Sequence, residues 1–465
     1  MSGKTKKKGL WSKYWDISSV AQTAHRGENP LSLIIKGLQS MLVMFGATII
    51  VPLTLNMSPQ VTLFGMGVGT LIFLTLTKGK SPLTMGSSFA FMIGVLAIID
   101  PTYGPFAGDG FTHDERLQYA LGGILAAGVV YLLFSVIVKA VGANKFMRFL
   151  PHAVTGPTVV LIGVTLAPHA VNQFATNWIL GPLTLIIIII VMVFGKGKLK
   201  AFPILIGLGG AYLVATIMQL AGATAQDGGN IINYAPIVDA VSEGRIFGLP
   251  PFMAPRFALA PILMLAPFSL ATVAENIADH VIVGAEMGED LVREKPGLSR
   301  TLFADGLQSM LVAAFGTPMN TTYSENVGLL IITKVFSSIV VAIGAVFAIL
   351  LGLSPLFAEV IRSIPVAIIG GASFMLYGMI ASIGMRNVKE HVNLDISKYL
   401  IIMSVMLVVG IGMRFGTPIL IEIADQTVRL DRMNLPVAII LGVILNAVLP
   451  ADSGKDKLPD KNKKK

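Results

Sequence analysis

The sequence predicts an all-α, polytopic membrane protein. Three observations support this class: 54% of the 465 residues are apolar, only 13% are charged, and the mean hydropathy is +0.75. Soluble domains carry about 25% charged residues, so a chain with this composition could not cover a water-exposed surface. Apolar stretches such as 183–194 and 335–353 recur along the chain. Most of the chain is therefore expected to lie in lipid.

The net charge of +9 does not indicate a nucleic-acid-binding face, because the excess lies mainly in two short tails. Residues 1–30 contain six Lys and Arg against two acidic residues, and residues 451–465 contain six Lys against three. Basic tails of this kind orient a membrane protein. The complete lack of cysteine excludes a disulfide-stabilised secreted domain and a zinc site built on thiolates.

Apolar segments long enough to cross a bilayer number about fourteen, at about 20 residues each. Their predicted starts are near residues 31, 60, 84, 117, 147, 179, 201, 259, 298, 321, 334, 363, 397 and 433. Basic loops alternate with acidic or uncharged ones, which predicts that both termini are cytoplasmic. The predicted organisation is an N-terminal tail (1–30), a transmembrane region (31–450, with repeats near 31–221 and 259–450) and a Lys-rich C-terminal tail (451–465).

Polar and helix-breaking residues interrupt two of the predicted spans. The third span contains small polar residues within 84–91, and the tenth contains Pro318 and Asn320 within 317–326. Irregular backbone inside a bilayer is tolerated only where protein or a cavity surrounds it. Interruptions at corresponding positions of two repeats indicate the central site of a transporter, and a seven-plus-seven repeat makes these two spans equivalent. The alternative is one kinked helix and one extracellular loop.

Three acidic residues fall at membrane depth. Glu275 and Asp279 are four residues apart in an otherwise apolar span, so a helix places them on one face. Glu325 directly follows the interruption in the tenth span. Ionisable residues inside spans indicate a functional site, because burying them is costly. The alternatives are a misplaced helix end for the pair and an ordinary loop position for Glu325. His280 is expected to be a packed histidine rather than a proton carrier.

These acidic residues fit a neutral, hydrogen-bonding heterocycle such as a pyrimidine base. Carboxylates accept hydrogen bonds from ring N–H groups, and backbone N–H groups at the interrupted spans can donate to ring carbonyls. Two carboxylates in one desolvated site do not both ionise easily. We therefore expect Glu275 to bind the base and to couple to protons, with Asp279 tuning it. The helix dipole favours the ionised form of Glu325.

The run from Glu325 to Lys334 resembles the signature (Q/E)-N-x-G-x-x-x-x-T-(R/K/G) of the nucleobase–ascorbate transporter family. Other segments are also similar to that family: residues 320–323, the acidic motif at 274–276, the third-span run at 86–91, and Gln39 with the run at 45–48. The resemblance covers essentially the whole membrane region. It implies a nucleobase permease, most similar to the bacterial uracil permeases.

The same resemblance implies two inverted seven-span repeats that form core and gate domains, usually in a dimer. It implies that Glu275 and Glu325 hold the base, and that the backbone of Phe89 and Ser324, on two short antiparallel strands, completes the site. Asp279 stands where uracil permeases often have His, as in several purine transporters, and Ser324 stands where Gly is frequent. A xanthine or other purine permease is therefore the alternative.

Two other classes fit the sequence less well. An anion transporter of similar seven-plus-seven plan would be expected to place basic residues near the interrupted spans, whereas this chain places an acid there. An intramembrane aspartyl-type enzyme would need acids from two helices, whereas Glu275 and Asp279 share one. The prediction is a proton-coupled uracil symporter of the plasma membrane. It is expected to be a homodimer, to have no enzymatic activity, and to use no cofactor beyond the coupling proton and no nucleic-acid partner.

Overall fold

A computed structural model describes residues 29–102, 104–196, 199, 202–225, 228–323, 327–328, 330–331, 334–423 and 426–450. The two predicted tails therefore lie almost entirely outside the described residues, as do Ser324 and Glu325. The described part is mainly helical, with two pairs of short strands.

The elements follow one another along the chain with short connections. The helices are α1 (Pro30–Thr54), α2 (Pro59–Leu76), α3 (Phe89–Ile99), α4 (His113–Val141), α5 (Ala143–Phe149), α6 (His152–Phe174), α7 (Leu180–Phe194), α8 (Pro203–Leu220), α9 (Ala235–Ser242), α10 (Leu259–Leu265), α11 (Ser269–Met287), α12 (Leu298–Ala313), α13 (Ser338–Gly352), α14 (Pro355–Arg362), α15 (Val366–His391), α16 (Ser397–Phe415) and α17 (Asn434–Val448). The strands are β1 (Met85–Ser87), β2 (Asn320–Thr322), β3 (Leu420–Ile423) and β4 (Gln426–Arg429), and 3₁₀ turns cover Ala266–Phe268 and Leu430–Met433.

The helices are long and apolar enough for a multi-pass membrane protein. Among the described residues, nine helical segments could cross a membrane, and α13 with α14 would make a tenth if that bent pair is one span. α3 and α7 are shorter apolar helices. Only 17% of the most apolar stretch of α16 is buried within the protein, as expected of a helix that faces lipid. The predicted class is confirmed, whereas the exact number of spans stays a prediction.

Local capping chemistry explains where several helices begin and end. The Asn29 side chain accepts a hydrogen bond from the Leu31 N–H at 3.0 Å at the start of α1. Thr112 and Glu115 form a reciprocal capping box at the start of α4. α11 ends at Gly288, whose φ of 72° is the left-handed conformation that glycine adopts without strain.

The helices pack into two bundles, and each bundle draws on both halves of the chain. The first bundle contains α1–α4 and α10–α13, and the second contains α6–α8 and α15–α17. α5 and α14 connect the bundles, and α14 is bent by 85° from α13. α11 also contacts α6 and α17 of the second bundle, so it lies at the boundary between the two.

Glycines allow the closest helix contacts in the first bundle. A Cβ added to Gly65 would lie 2.1 Å from the Thr317 hydroxyl oxygen, and one added to Gly67 would lie 2.4 Å from the Ala345 carbonyl oxygen. Helices in lipid associate through van der Waals packing, which favours small residues at their contacts. The glycine run 65–69 is therefore a packing surface.

Candidate substrate site

Two short strands pair at the positions where the sequence predicts interrupted spans. β1 and β2 are antiparallel, with the register Met85–Thr322, Gly86–Thr321 and Ser87–Asn320. All of these residues are buried, and the Ser88 N–H extends the pairing by donating to the Met319 carbonyl oxygen at 2.9 Å. Each strand satisfies backbone groups that the other would leave unpaired inside a membrane.

α3 begins directly after β1, at Phe89, with Ser88 as its N-cap residue. The first N–H groups of a helix have no acceptor within the helix, so this end can donate to an acceptor such as a ring carbonyl. Among the described residues, the buried Ser88 hydroxyl has no hydrogen-bond partner. The Phe89 ring packs edge-to-face on Tyr377 of α15, with centroids 5.6 Å apart. The start of α3 therefore lies where the first bundle meets the second.

α11 carries the acidic pair that the sequence singles out. Glu275 is half-buried and Asp279 is buried, and α11 extends beyond both residues. The pair therefore lies inside a helix rather than at a helix end, which removes the alternative reading of it. The Ser269 hydroxyl donates to the Ala127 carbonyl oxygen at 3.0 Å, and this bond fixes the start of α11 against α4.

His280 is fully buried and hydrogen-bonded through both ring nitrogens. Its Nδ1 lies 2.7 Å from the Asn276 carbonyl oxygen, and its Nε2 lies 3.0 Å from the Ser81 hydroxyl. A carbonyl oxygen only accepts, so Nδ1 carries a proton, and in the neutral ring Nε2 accepts from Ser81. The geometry is that of a packed histidine, which joins α11 to the segment before β1.

A buried polar network joins α11, α12 and β2. The Asp305 carboxylate, with 0% exposure, accepts from Asn276 Nδ2 at 2.8 Å and from Gln308 Nε2 at 3.1 Å. Gln308 Nε2 also donates to the Asn320 carbonyl oxygen at 2.6 Å, and Asn320 Nδ2 donates to Gln308 Oε1 at 3.1 Å. Because Asn276 adjoins Glu275, this network sets the position of Glu275 relative to the strand pair.

The sequence analysis missed Asp305 and Gln308. The rule that selects Glu275, an acid inside an apolar span, applies to Asp305 too. Asp305 follows Arg300 closely, however, near the predicted start of its span, and so resembles a loop residue. Tyr377 carries no chemical signal in the sequence, because only its contact with Phe89 brings it to the site.

The structure places Phe89, Glu275 and Asp279 around one strand pair. Phe89 opens the helix that follows β1, and Glu275 is tied to β2 through the network described above. Ser324 and Glu325, the other predicted substrate contacts, lie outside the described residues. The roles of all five residues stay predictions.

Interrupted spans, a buried polar site between them and two bundles built from both halves of the chain define a multi-pass membrane permease. A family model described as "Permease family" (Xan_ur_permease) matches residues 31–419. The chain belongs to the nucleobase–ascorbate transporter family. It is a transporter and not an enzyme.

Known proteins from bacteria are similar along most of the chain. The uracil permease of Bacillus subtilis (strain 168) is 35% identical over 441 residues, which cover 90% of this chain and 93% of that protein. The putative pyrimidine permease RutG of Escherichia coli (strain K12) is 36% identical over 385 residues, covering 81% of this chain and 82% of that protein.

Solved structures of other transporters share the fold. The transmembrane domain of the cyanobacterial bicarbonate transporter BicA matches with a TM-score of 0.62 at 14% identity, covering 90% of this chain and 98% of that chain. SLC26A9 matches with a TM-score of 0.63 at 12% identity, covering 93% of this chain and 67% of that chain. At these identities the likeness shows the fold alone, which is the seven-plus-seven inverted repeat.

Gly86 gives a first prediction about the strand pair. A Cβ at Gly86 would lie 2.2 Å from a ring carbon of the buried Tyr323, and overpacking of this kind costs about 1–3 kcal/mol. Gly86→Ala is therefore expected to lower the Tm of the purified protein and to reduce uptake. Gly209→Ala in α8 is the matched control, because no atom lies within 4 Å of its added Cβ. An unchanged Tm for Gly86→Ala would contradict the close approach at this strand.

Proposed function

We propose that this permease imports uracil together with a proton across the plasma membrane by alternating access. Similarity to uracil and pyrimidine permeases over most of the chain supports a pyrimidine substrate. The observation that carries the proposal is the buried strand pair β1–β2, with the start of α3 on one side and Glu275 of α11 on the other.

In this proposal the base lies beside the strand pair, between the two bundles. Glu275 and Glu325 accept hydrogen bonds from the two ring N–H groups, and charge makes these bonds about twice as strong as neutral ones. The backbone at Phe89 and Ser324 completes the hydrogen bonding, and the Phe89 ring supplies an apolar wall. Exclusion of water strengthens each of these contacts.

Glu275 and Asp279 would carry the coupling proton. They lie one helical turn apart on α11, with Asp279 buried and Glu275 half-buried. In a poorly hydrated site one of two neighbouring carboxylates retains a proton more readily than an isolated one. The pair can therefore load a proton with the base on one side of the membrane and release both on the other.

The first bundle would act as the core domain and the second as the gate domain. The site residues α3, α11 and the strand pair belong to the first bundle, and α5 and α14 connect it to the second. Both termini would lie in the cytoplasm of the cell that imports the base. The exposed face of α16 offers a surface on which a second copy can pack as a homodimer.

A ligand screen by thermal unfolding tests the substrate class. Uracil at 100 times its Kd is expected to stabilise the purified protein by about 2.7 kcal/mol, because it binds only the folded state. Xanthine, adenine and sulfate are the comparison ligands at equal concentration. A shift with xanthine but not uracil would favour the purine alternative, and a shift with sulfate alone would favour an anion transporter. Absence of a shift with any base would contradict a nucleobase permease.

A further inference from the structure

An ion pair crosses the boundary between the two bundles at the end of α3. Asp100 is the C-cap residue of α3, in the first bundle, and Arg432 lies in the 3₁₀ turn that precedes α17, in the second. Arg432 Nη2 lies 3.8 Å from Asp100 Oδ2, and the two side chains are 20% and 23% exposed. Partial burial limits the screening of this pair by salt.

The position of Asp100 on its helix explains why it needs a cation. A carboxylate at a helix C-terminus faces the negative end of the helix dipole, which is unfavourable. The Thr102 N–H donates to Asp100 Oδ1 at 2.9 Å and holds the carboxylate in place. Arg432, from the other bundle, supplies the opposite charge.

Arg432 projects from a rigid corner of the second bundle. The buried Asp431 accepts two hydrogen bonds from Arg429, at 2.9 and 2.5 Å, and Asn434 Nδ2 donates to the Gly410 carbonyl oxygen at 2.8 Å. Asp431 Oδ2 also lies 3.8 Å from Arg432 Nε. Arg432 therefore keeps a carboxylate neighbour when it separates from Asp100, so separation does not leave an isolated buried charge.

A second polar contact joins the bundles between the ends of α1 and α6. Gln173 Nε2, near the end of α6, donates to the Thr54 hydroxyl at the end of α1 at 3.4 Å. The loop charges predict that the helix ends at Thr54, Asp100 and Gln173 all face outward. The two contacts thus tie the bundles together on one side of the membrane.

α3 connects this ion pair to the substrate site. Its 11 residues correspond to about 16 Å of helix, with Phe89 at the strand pair and Asp100 at the ion pair. Every residue of α3 except Leu96 is buried, so the helix is expected to move as one unit with the first bundle. A displacement at either end is thereby transmitted to the other.

We propose that Asp100 and Arg432 form an outer latch, which holds the bundles together on the external side and must separate before a base can enter. The inference rests on the proposed alternating-access transport, but it does not depend on which base is carried. Its partner is the second bundle of the same chain.

Labelling of a single cysteine tests the latch without any substrate. The chain has no cysteine, so His169→Cys on α6 introduces the only thiol; its neighbour Arg414 lies close to Arg432. A membrane-impermeant maleimide added outside is expected to label this thiol about fivefold faster, or more, when Asp100→Asn or Arg432→Gln is added. Unchanged labelling in both variants would overturn the latch.

A matched control breaks an ion pair that does not join the bundles. Glu243 and Arg245 pair within one segment at 2.5 Å, so Arg245→Gln is expected to leave the labelling rate unchanged. Faster labelling in this control as well would overturn the proposal, because it would show a general loosening. Size-exclusion profiles verify that each variant is folded before it is labelled.

A reducible cross-link tests whether separation is required. In the double variant Asp100→Cys/Arg432→Cys, a short bifunctional methanethiosulfonate is expected to stop uracil uptake, and reduction is expected to restore it. The two single-cysteine variants should keep their uptake after the same treatment. Undiminished uptake by the cross-linked protein would overturn the latch. A failure of the proposed function looks different, because no variant would then take up uracil before treatment, while the labelling rates would still report on the latch.

Discussion

Replacement of Glu275 by Gln is expected to abolish proton-driven accumulation of uracil. Gln keeps the size of the side chain, but it cannot exchange a proton and offers only a neutral acceptor to the base. Hydrogen bonds to charged groups contribute about 1.5–3 kcal/mol, so binding should weaken by about 10- to 100-fold. Uptake of radiolabelled uracil in cells without their own permease, with and without a protonophore, measures the effect.

Glu286 provides the matched control for this variant. It lies on the same helix, but its carboxylate pairs with Lys334 at 2.6 Å on an exposed surface. Exposed pairs of this kind contribute about 0–1 kcal/mol, so Glu286→Gln should accumulate uracil normally. Protonophore-sensitive accumulation by Glu275→Gln at the normal level would show that another group carries the proton.

Replacement of Asp305 by Asn is expected to destabilise the protein and to stop transport. Asp305 accepts hydrogen bonds from Asn276 and Gln308 with no exposure to solvent. The amide of the new Asn would direct N–H groups at one or both of these donors, and an unsatisfied buried group costs about 1–3 kcal/mol. Thermal unfolding and uracil uptake, measured on the same preparation, report the two effects.

An exchange of the two side chains separates a polar-contact role from a general loss of stability. In Asn276→Asp/Asp305→Asn the donor and the acceptor trade places, so part of the lost Tm and uptake should return. Asp290→Asn, in the loop after α11, removes an exposed carboxylate paired with Arg293 at 3.0 Å and should change little. Equal Tm and uptake for Asp305→Asn and the wild type would contradict a positioning role for this network.

The membrane class and the acidic pair could be predicted because their signals are local. Hydropathy and loop charge need only a window of sequence, and a helical period is enough to place Glu275 and Asp279 on one face of α11. Small polar residues near Gly86 and the helix breakers near Asn320 mark backbone that a straight span could not contain, and the strands lie at those two places. His280 was expected to be a packed histidine, and its two hydrogen bonds agree with that.

By itself the sequence determined the solvent of this protein, its interrupted spans and two of its buried acids. Only the tertiary structure decided which groups those elements meet: Asp305 with Asn276, Phe89 with Tyr377, and Asp100 with Arg432. Each of these pairs joins residues from different helices or turns, most of them far apart in the chain. A periodic pattern specifies which face of a helix is polar, but the partner of that face depends on how helices from two repeats pack in three dimensions.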